Sequence, residues 1–279
     1  MPANLSRRIY NSQNLTIPGL GAVPVKNISI SRERPMEPMM MIGVLKGGNQ
    51  HQKGPETFKI DVKCFMTSAL TTPSFKTLFV GTQNGIPTAI SMSDGFSATA
   101  VLTSINIDSS VGEFVEMSLT FQGIGNPDII STTPGTTVGP DKSTALAATT
   151  VLDSSNVSAV DSFGVTVKSI KYSFEMPVEP FFTYNSSSFV GSSTAIMNNT
   201  SMTLIAKAPY KSSLSIEGTS LTQSIGLLRG GLITGPTVGG MSLDLTNAVL
   251  KSFSTSQTPG EIGAAFSASY EGTSSSFID

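Results

Sequence analysis

The side chains in this sequence that could do acid–base chemistry are glutamates that recur in a fixed pattern with proline. Glu33 and Glu37 stand four residues apart in the stretch SRERPMEPMM, beside Pro35 and Pro38. Paired carboxylates can hydrolyse glycosidic bonds, one acting as general acid and the other as base or nucleophile. However, the chain has no Trp, and only 7% of its residues are aromatic, which leaves little from which to build a sugar platform. We therefore interpret the glutamate pair as architectural.

One histidine and one cysteine are the other candidates for chemistry. His51 lies in the Gly- and Gln-rich stretch LKGGNQHQKGPE, where a solvated loop residue is the ordinary outcome. Cys64 lies in the alternating stretch KIDVKCFMTS, which predicts a buried, inert thiol. The sequence has no Cys/His cluster with metal-ligand spacing, no G-x-S-x-G elbow and no phosphate-binding loop. We predict that the protein is not an enzyme and that it binds no metal or cofactor.

The glutamate–proline pattern occurs twice in the chain. Residues 25–43 align without a gap on residues 167–185, at an offset of 142, with eight identities in nineteen positions. Residues 100–113 align on residues 248–261 at an offset of 148, and both stretches lead to an aromatic–acceptor–glycine triplet, FQG or YEG. One chain rarely needs two equivalent active sites. The repeat therefore predicts a tandem duplication of an architectural unit.

The chain divides into three parts by composition. Residues 1–126 form the first predicted unit, residues 127–160 a linker rich in Thr, Pro and Gly, and residues 161–279 the second unit. The linker has no sustained hydrophobic period, which is typical of an extended connection. A length of 279 residues suits two ordinary domains.

Each unit is predicted to be mainly β, with a short helix and a long hairpin arm. Charged residues make up 13% of the chain, against a usual value near 25%, and Ser, Thr and Gly replace them. In the first unit a period of two puts Ile28 and Ile30 on a core face and Ser29 and Ser31 on a wet face. Helices are predicted over residues 72–82 and 220–231, and the unit closes with a hairpin of residues 99–106 and 114–122.

Charge and hydropathy exclude two classes of partner. The formal net charge is −2, whereas affinity for nucleic-acid phosphates comes from clustered Lys and Arg. The N-terminal stretch MPANLSRRIYNSQNLT is not followed by an apolar signal-peptide core, and no apolar run is long enough to span a bilayer. The sequence predicts neither sequence-specific DNA binding nor a membrane location.

The segment TSINIDSSVGEFVEMSLTFQGIG (residues 103–125) resembles the closing hairpin of tailed-bacteriophage tail tube proteins. In that family a strand, a short turn with Gly-Glu or Gly-Asp and a strand ending in Phe-x-Gly complete a small β-sandwich or barrel. The chain looks most like the variety that carries a duplicated domain in a trimeric ring. The resemblance implies a structural virion protein that stacks as trimeric pseudo-hexameric or hexameric rings into a tail tube. Its implied partners are copies of itself, neighbouring tail proteins and double-stranded DNA passing through the lumen without specific binding.

The resemblance also suggests two sets of site residues. A mildly acidic or neutral lumen wall repels a DNA duplex and lets it slide. The glutamates on the wet face are therefore candidates for the lumen. The other interpretation is that these glutamates cap strand ends or pair with a neighbour's Arg. The long hairpin loop is a candidate arm to the next ring. The lumen candidates are Glu33, Glu37, Glu175 and Glu179. The arm candidates are Gly47, Gly48, Asn49, Gln50, His51, Gln52 and Lys53.

Two alternatives remain open at this stage. The first is another ring protein of the tail on the same fold, such as a terminator, a tube initiator or a baseplate ring, which would be scarce in purified particles. The second is a tandem carbohydrate-binding β-sandwich, which predicts a monomer that binds glycans.

Overall fold

The computed structural model describes residues 14–33, 36–38, 50–52, 56–92, 96–124, 151–157, 166–184, 200–220, 235–257, 259 and 263–278. The protein is mainly β, as the sequence predicts. The strands of the first half are β1 (Asn14–Ile17), β2 (Gly21–Glu33), β3 (Met36–Pro38), β4 (Gln50–Gln52), β5 (Thr57–Phe65), β6 (Thr88–Met92), β7 (Ser97–Ser110) and β8 (Glu116–Ile124). The helix α1 (Thr72–Gln83) lies between β5 and β6.

The strands of the second half follow a short 3-10 turn at Ser154–Asn156. They are β9 (Thr166–Glu175), β10 (Val178–Tyr184), β11 (Thr200–Ala206), β12 (Lys211–Ser220), β13 (Thr237–Val238), β14 (Met241–Ser242), β15 (Leu245–Thr246), β16 (Val249–Ser256), β17 (Ala264–Gly272) and β18 (Ser274–Ser275). β3 pairs with β4 and β10 pairs with β11, as two antiparallel hairpins outside the main sheet.

Six strands of the first half close into a barrel. The order around it is β7-β6-β1-β2-β5-β8, and β8 returns to pair with β7. Strict alternation along the strands fills the interior, because successive side chains point to opposite faces. In β5, Phe58, Ile60, Val62 and Cys64 are buried, as the sequence predicts, while the residues between them face solvent or are half-buried.

β7 belongs to two sheets at once. Its residues Ser97–Ala100 pair with β6, and its residues Ser104–Ser110 pair with β9. Its opposite edge pairs with β8 along most of its length. The main sheet therefore continues from the barrel through β9 into β12, β17 and β16, without a break between the two halves of the chain.

Two groups of four strands have the same internal arrangement. We call β2-β5-β8-β7 the first block and β9-β12-β17-β16 the second block, each written in the order in which neighbours pair. One extra residue interrupts the register of β2 at Lys26 and of β9 at Lys168, 142 residues later. A second interrupts β7 at Thr103 and β16 at Lys251, 148 residues later. Strand order, registers and both bulges thus coincide at the offsets of the sequence repeat.

The core is common to both blocks. Phe79 of α1 lies edge-on to Phe174 of β9, with ring centroids 4.8 Å apart, and stacks on Phe277 at 5.9 Å. Phe277 also contacts Phe75 and Tyr172, at 5.9 and 5.7 Å. The helix of the first half therefore covers a strand of the second half.

The predicted helix over residues 72–82 is confirmed within one residue. Pro73 in its first turn costs no hydrogen bond, since the first helical N–H groups have no partner in the helix. It ends before Gly85, which adopts a φ of +67°. Of the second predicted helix, Ser220 is the last residue of β12, and residues 221–231 lie outside the described residues.

The end of the predicted linker packs against both halves. Leu152 is buried; its N–H donates to the carbonyl of Met66, and its own carbonyl accepts from Val115, both at 2.9 Å. Val157 forms an isolated antiparallel bridge with Val238. Residues 127–150 of the linker lie outside the described residues.

Candidate functional site: a polar sheet face with two open edges

The two blocks form one continuous sheet of eight strands, in the order β2-β5-β8-β7-β9-β12-β17-β16. One face packs on the core. We call the opposite side the polar face; it carries the alternate residues of all eight strands, mostly Ser, Thr, Asn and Gln, and apart from the buried Val101 they are exposed or half-buried. Its charged members are Glu33, Lys59, Asp61, Lys63, Asp108, Glu116, Lys171, Glu175, Lys211, Glu217 and Glu271.

Positive and negative charges are interspersed on the polar face. Lys59 lies 3.0 Å from Asp61, and Lys251, at the bulge of β16, lies 2.9 Å from Glu271. Lys26, at the bulge of β2, pairs with Glu116. Exposed pairs of this kind contribute little to stability. They do keep the face free of a large cationic patch, and such a patch is what strong phosphate binding requires.

The four candidate glutamates fall into two places. Glu33 and Glu175 end β2 and β9 on the polar face, at equivalent positions of the two blocks, and both are exposed. Glu179 lies in β10 outside the main sheet, where it accepts a hydrogen bond from Lys207 at 2.7 Å and raises the pKa of that ammonium group. Glu37 lies in β3, opposite His51 of β4. A sequence pattern does not predict this separation, because alternation along a strand does not show where the strand ends and a hairpin begins.

The candidate arm is only partly described. Gln50, His51 and Gln52 form β4, which pairs with β3. Gly47, Gly48, Asn49 and Lys53 lie outside the described residues. Their contact with another ring stays a prediction.

The junction between β7 and β9 is a complete strand pairing. Val111 N–H donates to the carbonyl of Lys168 at 2.9 Å, and Met176 N–H donates to the carbonyl of Thr103 at 2.8 Å. Because antiparallel pairs alternate between hydrogen-bonded and non-hydrogen-bonded positions, the core-side pairs of this junction are the hydrogen-bonded ones. The polar-face pairs, such as Asn106 with Ser173, are then non-hydrogen-bonded and closer together.

The core side of the junction is apolar and sealed. Ile105 lies opposite Phe174, and Ile107 opposite Tyr172; all four are buried. The β10–β11 hairpin extends over the first block as well. A Cβ atom added to Gly85, after α1, would come within 2.6 Å of the Thr203 methyl group of β11. Strand pairing, ring contacts and a hairpin therefore all join the two blocks.

The two outermost strands have open edges. Beyond Pro24, no described residue pairs with the edge of β2 that faces away from β5. No described residue pairs with the edge of β16 that faces away from β17. Apolar side chains at these edges, Ile28, Ile30 and Phe253, pack against the core but remain half-exposed.

The remaining candidate group is inert. Cys64 is buried and donates to the carbonyl of Met117 at 3.4 Å, and burial raises the pKa of its thiol to about 12. The predicted structural thiol is confirmed. Within the described residues, no group of three or more His, Cys, Asp and Glu side chains could hold a metal ion. No helix in that part of the chain is long and apolar enough to cross a membrane.

A comparison with protein-family models found no match, and a comparison with curated proteins found no significant similarity. The candidate function therefore rests on the geometry of the sheet and on the sequence repeat.

Proposed function

We propose that this chain is a structural protein of a bacteriophage tail, which assembles through its sheet edges into rings that stack into the tail tube. The single observation that carries the proposal is the β7–β9 junction, where two blocks of the same strand order meet edge to edge within one chain. The coincident bulges support the interpretation of the blocks as tandem copies of one unit.

A ring follows from repetition of that junction. A head-to-tail contact generates a ring when its rotation closes, and three chains with two blocks each would give a pseudo-sixfold ring. An open edge presents a row of unpaired N–H and C=O groups that pairs readily with another strand, and ring closure removes every edge. The proposed ring makes use of both open edges of the chain.

The polar face is proposed to line the lumen. The core side of the sheet carries α1 and the second layer of packing, and it needs the greater space outside the ring. The polar face then meets the DNA with interspersed charges and hydroxyl groups, which gives phosphates little net attraction. Glu33 and Glu175 are our lumen candidates on the sheet, and the β3–β4 and β10–β11 hairpins, with Glu37 and Glu179, are candidates for contacts between rings.

Electron microscopy of the purified protein at high concentration tests the proposal. We expect rings with an open centre and, at the highest concentrations, stacks of rings. A protein that remains a monomer by sedimentation velocity at every concentration would contradict the proposal, and glycan binding by such a monomer would favour the carbohydrate-binding alternative. Copy number in purified particles separates the main tube protein, which is abundant, from a terminator or initiator.

The lumen assignment is tested by Glu33→Lys combined with Glu175→Lys. The variant should assemble normally but bind short duplex DNA, with an affinity that falls as salt rises, by a slope of about −0.9 for each phosphate neutralised. Glu33→Gln with Glu175→Gln is the matched control, because it removes the negative charges without adding positive ones. An assembled lysine variant that neither binds duplex DNA nor slows its ejection would contradict the lumen assignment.

A further inference from the structure

Within the described residues, the unpaired edge of β16 has the same place in the repeat as the joined edge of β7. The two strands are equivalent in the repeat, with the same bulge, and β7 uses this edge to bind β9. β9 is in turn equivalent to β2, and no described residue pairs with the corresponding edge of β2 beyond Pro24. The eight-stranded sheet thus ends on one side in β16, a strand like β7, and on the other side in β2, a strand like β9.

We infer that β16 of one copy pairs antiparallel with β2 of a second copy, in the register of the β7–β9 junction. Shifting that register by the repeat offsets places Ser252 opposite Glu33, Ser254 opposite Ser31, and Ser256 opposite Ser29. This inference rests on the proposed function for its partner, a second copy of the same chain, and it identifies the contact that builds the ring.

Half-exposed apolar side chains support this pairing. Ile170 and Tyr172 are 2% and 1% exposed at the internal junction, whereas their counterparts Ile28 and Ile30 on β2 are half-exposed. Phe253 on β16 is half-exposed too, although its counterpart Ile105 is fully buried. A strand added to each edge would cover these groups, and burial of apolar surface contributes roughly 25 cal/mol for each Å² removed from water.

The edge of β16 lacks most of the usual protection against strand addition, whereas β2 carries the charged Arg32 and Glu33 near its end. Proteins that stay monomeric blunt an edge with proline, a charge or a bulge. Residues 252–256 read SFSTS, with no proline and no charge. The bulges at Lys26 and Lys251 offer no protection, because the joined strands β7 and β9 have the same bulges and still pair.

The polar-face pairs of this contact suit a disulfide crosslink. By the alternation observed at the internal junction, Ser31 and Ser254 form a non-hydrogen-bonded pair, with Cα atoms about 4.5 Å apart. This separation lies within the range of natural disulfides. Within one chain the two serines lie on the outermost strands of the eight-stranded sheet, seven strand spacings of about 4.8 Å apart. A Ser31–Ser254 crosslink can therefore form only between copies.

The experiment is oxidation of the Ser31→Cys, Ser254→Cys variant, followed by non-reducing electrophoresis and mapping of the linked peptides. We expect covalent oligomers, with at least about tenfold more crosslink than the control pair Asn27→Cys, Ser254→Cys. Asn27 lies on the same strand and face but four residues out of register, about 13 Å along the strand. The buried Cys64 stays unreacted in both variants.

The outcomes separate the inference from the proposed function. Rings without a crosslink at Ser31–Ser254, or with equal crosslinking of the control pair, would overturn the inferred contact and leave the ring proposal standing. A wild-type protein that never oligomerises would overturn the proposed function itself. Ser29→Cys with Ser256→Cys repeats the test in the same register, and its failure beside assembled rings also counts against the contact.

Discussion

The internal junction and the open edges occupy equivalent positions of the repeat but differ in the residues on their core side. At the junction, Ile107 of β7 lies opposite Tyr172 of β9; at the open edges the equivalent residues are Thr255 of β16 and Ile30 of β2. Likewise Phe174 of β9 is buried, whereas its counterpart in β2 is the exposed Arg32. A contact within one chain forms on folding and can be fully apolar. A contact between copies must remain soluble until the copies meet.

This comparison suggests that the same antiparallel strand pairing would serve twice. It would form a strong contact within the chain and a weaker contact between copies. The internal junction is part of the folded core, and its loss should unfold the chain. The proposed contact between copies would rely on main-chain hydrogen bonds with a few half-buried apolar groups, so its loss should leave a folded monomer. Substitutions at equivalent positions of the two blocks test this distinction.

The largest expected effect is that of Phe174→Ala. Phe174 is fully buried and contacts Phe79, Tyr210 and Phe277, so its truncation should lower the free energy of unfolding by about 3–5 kcal/mol. Arg32→Ala is the matched control, because Arg32 has the equivalent position in β2 but is exposed, so its truncation removes an ion pair with Glu56 and little buried surface and should cost less than that of Phe174. Urea unfolding measures both changes. Equal losses for the two variants would mean that the junction is not part of the core.

The sequence predicted the faces of the long strands, because period two in residues 57–65 and 166–175 reports burial directly. It also predicted α1, because residues 72–82 end in a glycine-containing stretch, although the helix continues past Gly81 and stops before Gly85. The resemblance implied a β-sandwich or barrel, but the sequence pattern did not show which six strands would close the barrel. β1 has four residues and β6 five, too few for a distinctive period, and which strands become neighbours is decided by tertiary packing.

Less of the candidate site than of the fold could be predicted from the sequence. The repeat located Glu33 and Glu175 at equivalent strand ends, but Glu179 reaches Lys207 across the β10–β11 hairpin, a contact between residues 28 positions apart. The sequence did not show the two roles of β7 either, because an alternating pattern does not indicate how many neighbours a strand has. The lengths of its partners, which leave Ser104–Ser110 free of β6, decide this in the folded chain.

A smaller effect on stability is expected from Thr255→Pro, with a large effect on assembly. By the alternation of the junction, the N–H of Thr255 points away from β17, so proline removes a donor to the second copy and no bond within the chain. We expect the free energy of unfolding to change by less than about 1 kcal/mol. Sedimentation velocity should show monomers at concentrations where the wild type forms rings.

Ser254→Pro provides the contrast on the same strand. The N–H of Ser254 points toward β17 by the same alternation, so proline there breaks a bond inside the sheet and should destabilise the monomer itself. If Thr255→Pro assembled as well as the wild type, the edge of β16 would play no part in the contact between copies.

A reconstruction of the assembled protein by electron cryo-microscopy would show directly which strands pair between copies. Our account predicts that β16 of each chain lies about 4.8 Å from β2 of the next, with Ser254 beside Ser31 and the polar face toward an open axis. An assembly in which both of these edges face solvent, or in which α1 lines the axis instead, would contradict it.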